Sequence, residues 1–417
     1  DGPLVRGLDP KRPSAAGSLL VGSERYLATL EGLSQGNGGT KGWLVAVLVP
    51  ESYYTRDLVR FEHTLLVVFG ATLLLVLAIG ASALGAMRRG LGSVTATTTQ
   101  MRAFDFAPSA ARSRVADIDE VMLGLERAKT VVRAMGKYIP VDLVRSLYEK
   151  NQEPELGGEL REVSLMFTDI EGFTTLSERL PPDELSRRLG DYLEAMTTAV
   201  AGTSGTIDKY IGDAVMAFWN APAKVERHAE RACEAVLACK DAARALYASA
   251  SWNGLPALTT RFGVHTANVM VGHFGARSRL SYTALGDGVN LAARLEPLCK
   301  QYGVTTLVSE AIVADAGTRF VFRRVDRVAV KGKTKGIDVY ELLGRQGEKI
   351  PGADEARRYE SAFDAYLARD FTRAIEVLSV DDLAKDPVSV VLLHRCRLLA
   401  ERPPPADWNG VHVATSK

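Results

Sequence analysis

Phe167-Thr168-Asp169-Ile170-Glu171-Gly172-Phe173-Thr174 reads as a buried strand over residues 163–167 that runs directly into a carboxylate and a glycine turn. An isolated Asp in such a place is most simply a turn or capping residue. Here a second follows in Lys209-Tyr210-Ile211-Gly212-Asp213-Ala214-Val215. Gly212-Asp213 lies between two short apolar runs, a two-residue hairpin signal that sets Asp213 on a rigid tip. Two carboxylates on strand ends are what a pair of hard cations needs, and paired cations suit chemistry on phosphates.

Around these blocks, residues 162–343 alternate strand-like and helix-like segments, which predicts one α/β (α+β) domain. Strands are expected at 163–168, 206–211, 214–219, 260–266, 281–286, 305–308, 319–325 and 337–342. The longer helices are expected at 183–202, 225–249 and 288–301. The chain has 417 residues and a net charge of +1. That balance argues against a nucleic-acid partner held by bulk charge. Cys233, Cys239, Cys299 and Cys396 show no metal spacing and read as buried free thiols. The chain begins at Asp1 without an initiator Met and is expected to be a fragment or a processed form.

Thr64 to Met87 carries no charged residue, which is long enough to cross a bilayer. Gly80-Ala81-Ser82-Ala83-Leu84-Gly85 offers small residues for close helix packing. Arg88 and Arg89 follow at once, and this bias favours a cytoplasmic C-terminal side at a cell (inner) membrane. Gly42 to Pro50 reads as a strand closing a preceding domain. It resembles the last strand of bacterial extracytoplasmic sensor domains of the Cache type, so residues 1–62 are expected to be the end of such a domain. After the 63–87 span, Leu91, Val94, Thr98 and Met101, then Ile118, Val121, Leu125, Ala128, Val132 and Met135, repeat at three and four. Residues 88–138 therefore resemble a HAMP linker, although Gly90-Leu91 stands where such linkers carry Pro. Residues 139–160 form a connecting helix and turn. Residues 355–417 have the apolar rhythm of a tetratricopeptide helix pair (Tyr359, Ala362, Phe363, Tyr366, Phe371). One pair cannot form a solenoid, so it should dock on the domain or on a protein partner.

Two further blocks complete a resemblance: Tyr282-Thr283-Ala284-Leu285-Gly286-Asp287-Gly288-Val289-Asn290-Leu291-Ala292-Ala293-Arg294, and Val330-Lys331-Gly332-Lys333. With the Asp169 and Lys209–Asp213 blocks, in this order, residues 161–345 resemble the catalytic domain of class III nucleotidyl cyclases. The resemblance implies a mixed, largely antiparallel sheet flanked by helices. It implies two Mg²⁺ (or Mn²⁺) ions held by Asp169, Asp213 and the backbone carbonyl of Ile170. Asn290 would orient the ribose, Arg294 would clamp the α-phosphate, and Lys331 would reach the β- and γ-phosphates. It also implies a homodimer in which each site takes residues from both protomers.

Lys209 can only donate a hydrogen bond, whereas Thr283 can also accept. Adenine presents an acceptor at N1 and a donor at its 6-amino group; guanine presents the reverse. The pair therefore fits ATP, and Thr283 resembles the bacterial IIIb subgroup. The expected activity is an adenylyl cyclase making 3′,5′-cyclic AMP and pyrophosphate, anchored in a membrane and regulated through the linker. The alternatives are a guanylyl cyclase, disfavoured by Lys209, and a non-catalytic nucleotide-binding module. Gly332-Lys333-Thr334 is no P-loop, because Arg327 stands where the first glycine should be. His265 and His273 lie in strand-like runs and read as structural.

Overall fold

The computed structural model describes residues 14–33, 43–150, 153–249, 252, 255–329, 336–380 and 382–413. It divides into two compact units, Asp1–Arg133 and Ala134–Lys417.

In the first unit, β1 (Ser14–Val21), β2 (Glu24–Leu33) and β3 (Trp43–Pro50) form an antiparallel sheet in that order. Helix α1 (Glu51–Arg102) follows without a break, and its sequence contains no proline to interrupt it. The uncharged stretch lies inside this helix, where Leu66, Phe69, Leu74 and Val76 are exposed. Among the described residues, α1 is the one helix long and apolar enough to cross a membrane. A connector leads to α2 (Ala116–Met135). Gly90 is where the two helices approach: a Cβ there would stand 2.9 Å from the Ile118 Cδ1 atom. Ile118 and Met122 are buried at this contact, while Leu91, Val121 and Met135 stay exposed.

The second unit opens with α3 (Val141–Lys150) and then β4 (Gly157–Ile170). Next come α4 (Phe173–Arg179), α5 (Pro182–Gly202), and the hairpin of β5 (Thr206–Ile211) and β6 (Ala214–Trp219). Helix α6 (His228–Tyr247) precedes a second hairpin, β7 (Thr260–Ala276) and β8 (Arg279–Leu285). Then follow α7 (Asp287–Tyr302), β9 (Thr306–Ser309), α8 (Glu310–Ala316), β10 (Phe320–Ala329) and β11 (Ile337–Arg345). The chain finishes with α9 (Ala353–Leu367), α10 (Phe371–Leu378), α11 (Pro387–Glu401) and β12 (His412–Val413).

These strands form one sheet in the order β12-β10-β11-β9-β7-β4-β6-β5, with β8 paired to the far half of β7. Among the described residues, only the β7–β9 and β10–β12 pairings are parallel. The sheet is thus mixed and largely antiparallel, as expected. Strands β4 and β7 run longer than their sequence suggests, pairing from Gly157 with His273 to Ile170 with Thr260. Their outer ends are hidden by glycine, which packs no side chain and weakens a strand signal. At Gly272 a Cβ would lie 2.2 Å from the carbonyl oxygen of Gly157.

One core layer joins α5, α6 and α8 to the sheet through Met166, Met196, Trp219, Val236, Val264 and Ile312. Another unites α7 with the tail: Leu295, Leu298 and Tyr302 pack with Tyr359, Phe363, Tyr366 and Leu392. The tail is therefore built into this unit. It adds a third helix and an edge strand to the helix pair read from sequence. Asp326 on β10 receives Tyr302 Oη at 2.5 Å and both Arg395 Nη atoms at 2.7 and 2.8 Å. All four cysteines are buried and unpaired. His265 Nδ1 lies 2.7 Å from Ser309 Oγ and the His273 ring packs on Tyr282, structural settings for both histidines.

Candidate active site

Strand β4 carries Asp169 to the end of the sheet, and the β5–β6 hairpin brings Asp213 beside it. The turn is the two-residue one expected: Ile211 pairs with Ala214, and Gly212 at φ +67 takes the left-handed conformation that its missing Cβ permits. Two hydrogen bonds clasp the blocks together. Val215 N–H donates to Thr168 Oγ1 at 3.1 Å, and Ile170 N–H donates to Asp213 Oδ2 at 3.1 Å. Burial, together with the nearby Asp169 charge, pushes the Asp213 carboxyl above its ordinary range.

Arg261 on β7 supplies the counter-charge. Its Nη2 donates to Asp169 Oδ2 at 2.5 Å and its Nε to Glu296 Oε1 at 2.9 Å. Glu296, on α7, is pushed up to about 7, first by burial and then by Asp169. The helix reaches this position because residue 263 is glycine: a Cβ there would lie 2.4 Å from the Glu296 backbone nitrogen. One guanidinium thus serves two carboxylates, with Asp213 a third acid close by. Such a surplus of hard oxygen donors fits a divalent cation that completes its shell with water and phosphate oxygens. Among the described residues, no cluster of three or more His, Cys, Asp or Glu side chains forms an all-protein cage.

A second group lies between β5 and β8. Lys209 Nζ is 3.3 Å from Thr283 Oγ1, so the two residues paired from sequence meet within one chain. Beneath them Asp208 accepts the Thr283 hydroxyl and lies 3.4 Å from Lys209 Nζ. Thr283 itself is buried, whereas Lys209 is half exposed. Past β8, Gly286 turns the chain into α7, whose exposed positions include Asn290 and Arg294. Lys331 lies outside the described residues, as does the rest of its block. Arg327, the residue that spoils the P-loop pattern, is occupied with Asp338 at 2.7 Å.

Sequence reading missed Arg261, Glu296 and Asp208. Thr260-Arg261-Phe262-Gly263 carries a charged residue and a glycine within an apolar strand, a signal that a partner charge and a close approach are needed there. Asp208 beside Lys209 reads in sequence as an ordinary local ion pair.

The family model described as adenylate and guanylate cyclase catalytic domain matches residues 158–344. These residues form a class III cyclase catalytic domain. It is 34% identical to adenylate cyclase 1 of Rhizobium meliloti (strain 1021) over 347 residues, 82% of this chain and 52% of that protein. It is 33% identical to an adenylate cyclase of Anabaena cylindrica over 228 residues, 53% of this chain and 45% of that one. The chain thus spans about half the length of these relatives. The crystal structure of the adenylyl cyclase CyaB from P. aeruginosa is 30% identical, with a TM-score of 0.43, covering 46% of this chain and all of that one. Class III cyclases generally use divalent metal.

Proposed function

We propose that this chain is a membrane-anchored adenylyl cyclase that converts ATP to 3′,5′-cyclic AMP and pyrophosphate. The observation that carries the reading is the Lys209–Thr283 contact on a cyclase domain. Lys209 donates to N1 of adenine and Thr283 accepts from the 6-amino group. Guanine would set a donor against Lys209, and a buried mismatch of this kind is strongly rejected. The relatives named adenylate cyclase support the same choice.

Asp169, Asp213 and the Ile170 carbonyl hold two Mg²⁺ or Mn²⁺ ions in this reading. Bound there, the ions would lower the pKa of the ribose 3′-hydroxyl and neutralise the triphosphate. Arg261 holds the Asp169 side chain aimed until then. Asn290 orients the ribose for in-line attack on the α-phosphorus. Arg294 stabilises the charge that builds on the α-phosphate, and Lys331 steadies the β- and γ-phosphates.

Two chains form a homodimer, each site taking its metal carboxylates from one protomer and its base and phosphate residues from the other. Leu91, Val121 and Met135, exposed on α1 and α2, supply the apolar seam of a HAMP-type bundle between protomers. The apolar part of α1 spans the inner membrane with the cyclase on the cytoplasmic side, and residues 1–62 end an extracytoplasmic sensor domain.

The test is cyclic nucleotide formation by the purified full chain with ATP or GTP and Mg²⁺ or Mn²⁺, beside Asp169→Ala. Cyclic AMP that disappears in the variant is the expected result. No cyclic product from either nucleotide, in a folded protein that binds ATP, would favour a nucleotide-binding module instead.

A further inference from the structure

Asp208 is placed by an irregularity in β5. The pairing with β6 runs Ile207 to Ala217 and then Lys209 to Met216, so Asp208 is an extra residue in the strand. In a regular strand, neighbours point to opposite faces. A bulge re-aims one of them, and here Asp208 and Lys209 both reach Thr283 on β8. The Asp208 side chain is 2% exposed, against 45% for Lys209. Its carboxylate also accepts a hydrogen bond from the Ala284 backbone. Burial raises its pKa, while Thr283, Lys209 and Ala284 act in the opposite direction.

A hydroxyl has one proton to donate and two lone pairs to accept with. An ionised carboxylate can only accept. The Thr283 proton is therefore committed to Asp208, and one lone pair faces Lys209. What Thr283 can still offer to a base is a second lone pair.

We propose that Asp208 is a specificity-determining positioning residue: by accepting the Thr283 hydroxyl proton it fixes Thr283 as an acceptor, matched to the 6-amino group of adenine and mismatched to O6 of guanine. This deepens the adenylyl cyclase reading and rests on it. Threonine alone is ambivalent, since a free rotor could donate to guanine O6 as readily as it accepts from adenine. The buried carboxylate removes that freedom. Lys209 remains a donor whatever stands at 208, so loss of Asp208 weakens the preference for adenine without inverting it.

The experiment compares the full chain with Asp208→Asn, Thr283→Val and the double variant. The asparagine amide is isosteric and can turn either its oxygen or its NH₂ to Thr283. The readouts are kcat/KM for ATP and for GTP, and the equilibrium binding of each nucleotide. The ATP-to-GTP ratio should fall about tenfold or more in Asp208→Asn, the scale of one charge-assisted hydrogen bond. In the Thr283→Val background, Asp208→Asn should change the ratio less than about twofold, because the hydroxyl through which it acts is gone. A ratio unchanged in the single variant, or equal losses with both nucleotides, would overturn the proposal and leave Asp208 a structural residue. An equal fall in the ratio in the Thr283→Val background would overturn it too. If the wild-type chain makes no cyclic AMP, the cyclase reading fails, and the binding ratios decide the role of Asp208 by the same criteria.

Discussion

Replacing Asp326 by Asn should partly detach the C-terminal helices from the catalytic sheet. The carboxylate is 2% exposed and its partner Arg395 is 14% exposed. Besides Arg395 and Tyr302, it accepts the Arg327 backbone N–H at 2.8 Å. Asn keeps the shape and can still accept from Tyr302 or Arg327, but it leaves the guanidinium without an anion. Breaking a buried pair from one side costs about 3–5 kcal/mol. A domain of ordinary stability has only ~5–15 kcal/mol in total. With a urea slope of ~3 kcal/mol/M, the midpoint should fall by about 1 to 1.7 M. Trp219, Trp252 and Trp408 lie in this unit, so tryptophan fluorescence of the detergent-solubilised full chain follows the transition. Adding Arg395→Met removes the stranded charge, and the double variant should recover most of the loss, giving a coupling energy well outside the error of independent sites. A midpoint for Asp326→Asn within about 0.3 M of wild type would refute the reasoning. So would a double variant less stable than Asp326→Asn alone, because the cost would then lie in packing and not in the unpaired charge. The same network joins α11 to β10, which leads into the segment containing Lys331, so cyclase activity should fall with the tail still attached.

Gly263→Ala should destabilise the unit by about 1–3 kcal/mol, the usual cost of overpacking, and should lower activity by moving Glu296 away from Arg261; unchanged melting and turnover together would count against this. Glu296 binds its proton more tightly in the folded chain, at about 7 against an ordinary 4.5. The native state then holds a proton that the unfolded chain releases, so this residue makes stability fall as pH rises through that window. Glu296→Gln should flatten that part of the melting-temperature profile, and parallel profiles for the two proteins would show the assignment to be wrong. Cysteine crosslinks stepped along residues 118–135 of α2 should change cyclase activity with a helical period if the linker transmits a signal; activity indifferent to every position would argue that it does not. Truncation after residue 350 should leave an unfolded or aggregating product, because Tyr359, Phe363, Tyr366 and Leu392 complete the core beside Tyr302; a soluble truncated protein with a wild-type melting transition would contradict that packing.

Much of this molecule is written in local pattern. The β4 stretch that leads to Asp169, the Gly212-Asp213 turn and α7 after Gly286 follow from alternation, turn chemistry and helical spacing, all short-range properties of the chain. The apolar run inside α1 likewise declares itself by length and lack of charge. The donor and acceptor character of Lys209 and Thr283 is a property of the residue types, so the preference for adenine could be argued before their contact was seen. The full lengths of β4 and β7 could not, because Gly157 and Gly158 on one strand and Gly272 on the other give no strand signal and are held by the pairing itself. Nor could the electrostatics of the site. Arg261 meets an acid 92 residues earlier in the chain and another 35 residues later. The choice among the many acids in this chain is made only when β4, β7 and α7 converge. Asp208 and Lys209 are neighbours in sequence, yet it takes a bulge to turn both toward one hydroxyl. The tail's apolar stripe is legible in sequence and says that it must dock, but the surface it docks on is not legible. Burial is a property of two surfaces, and sequence periodicity reports only one of them.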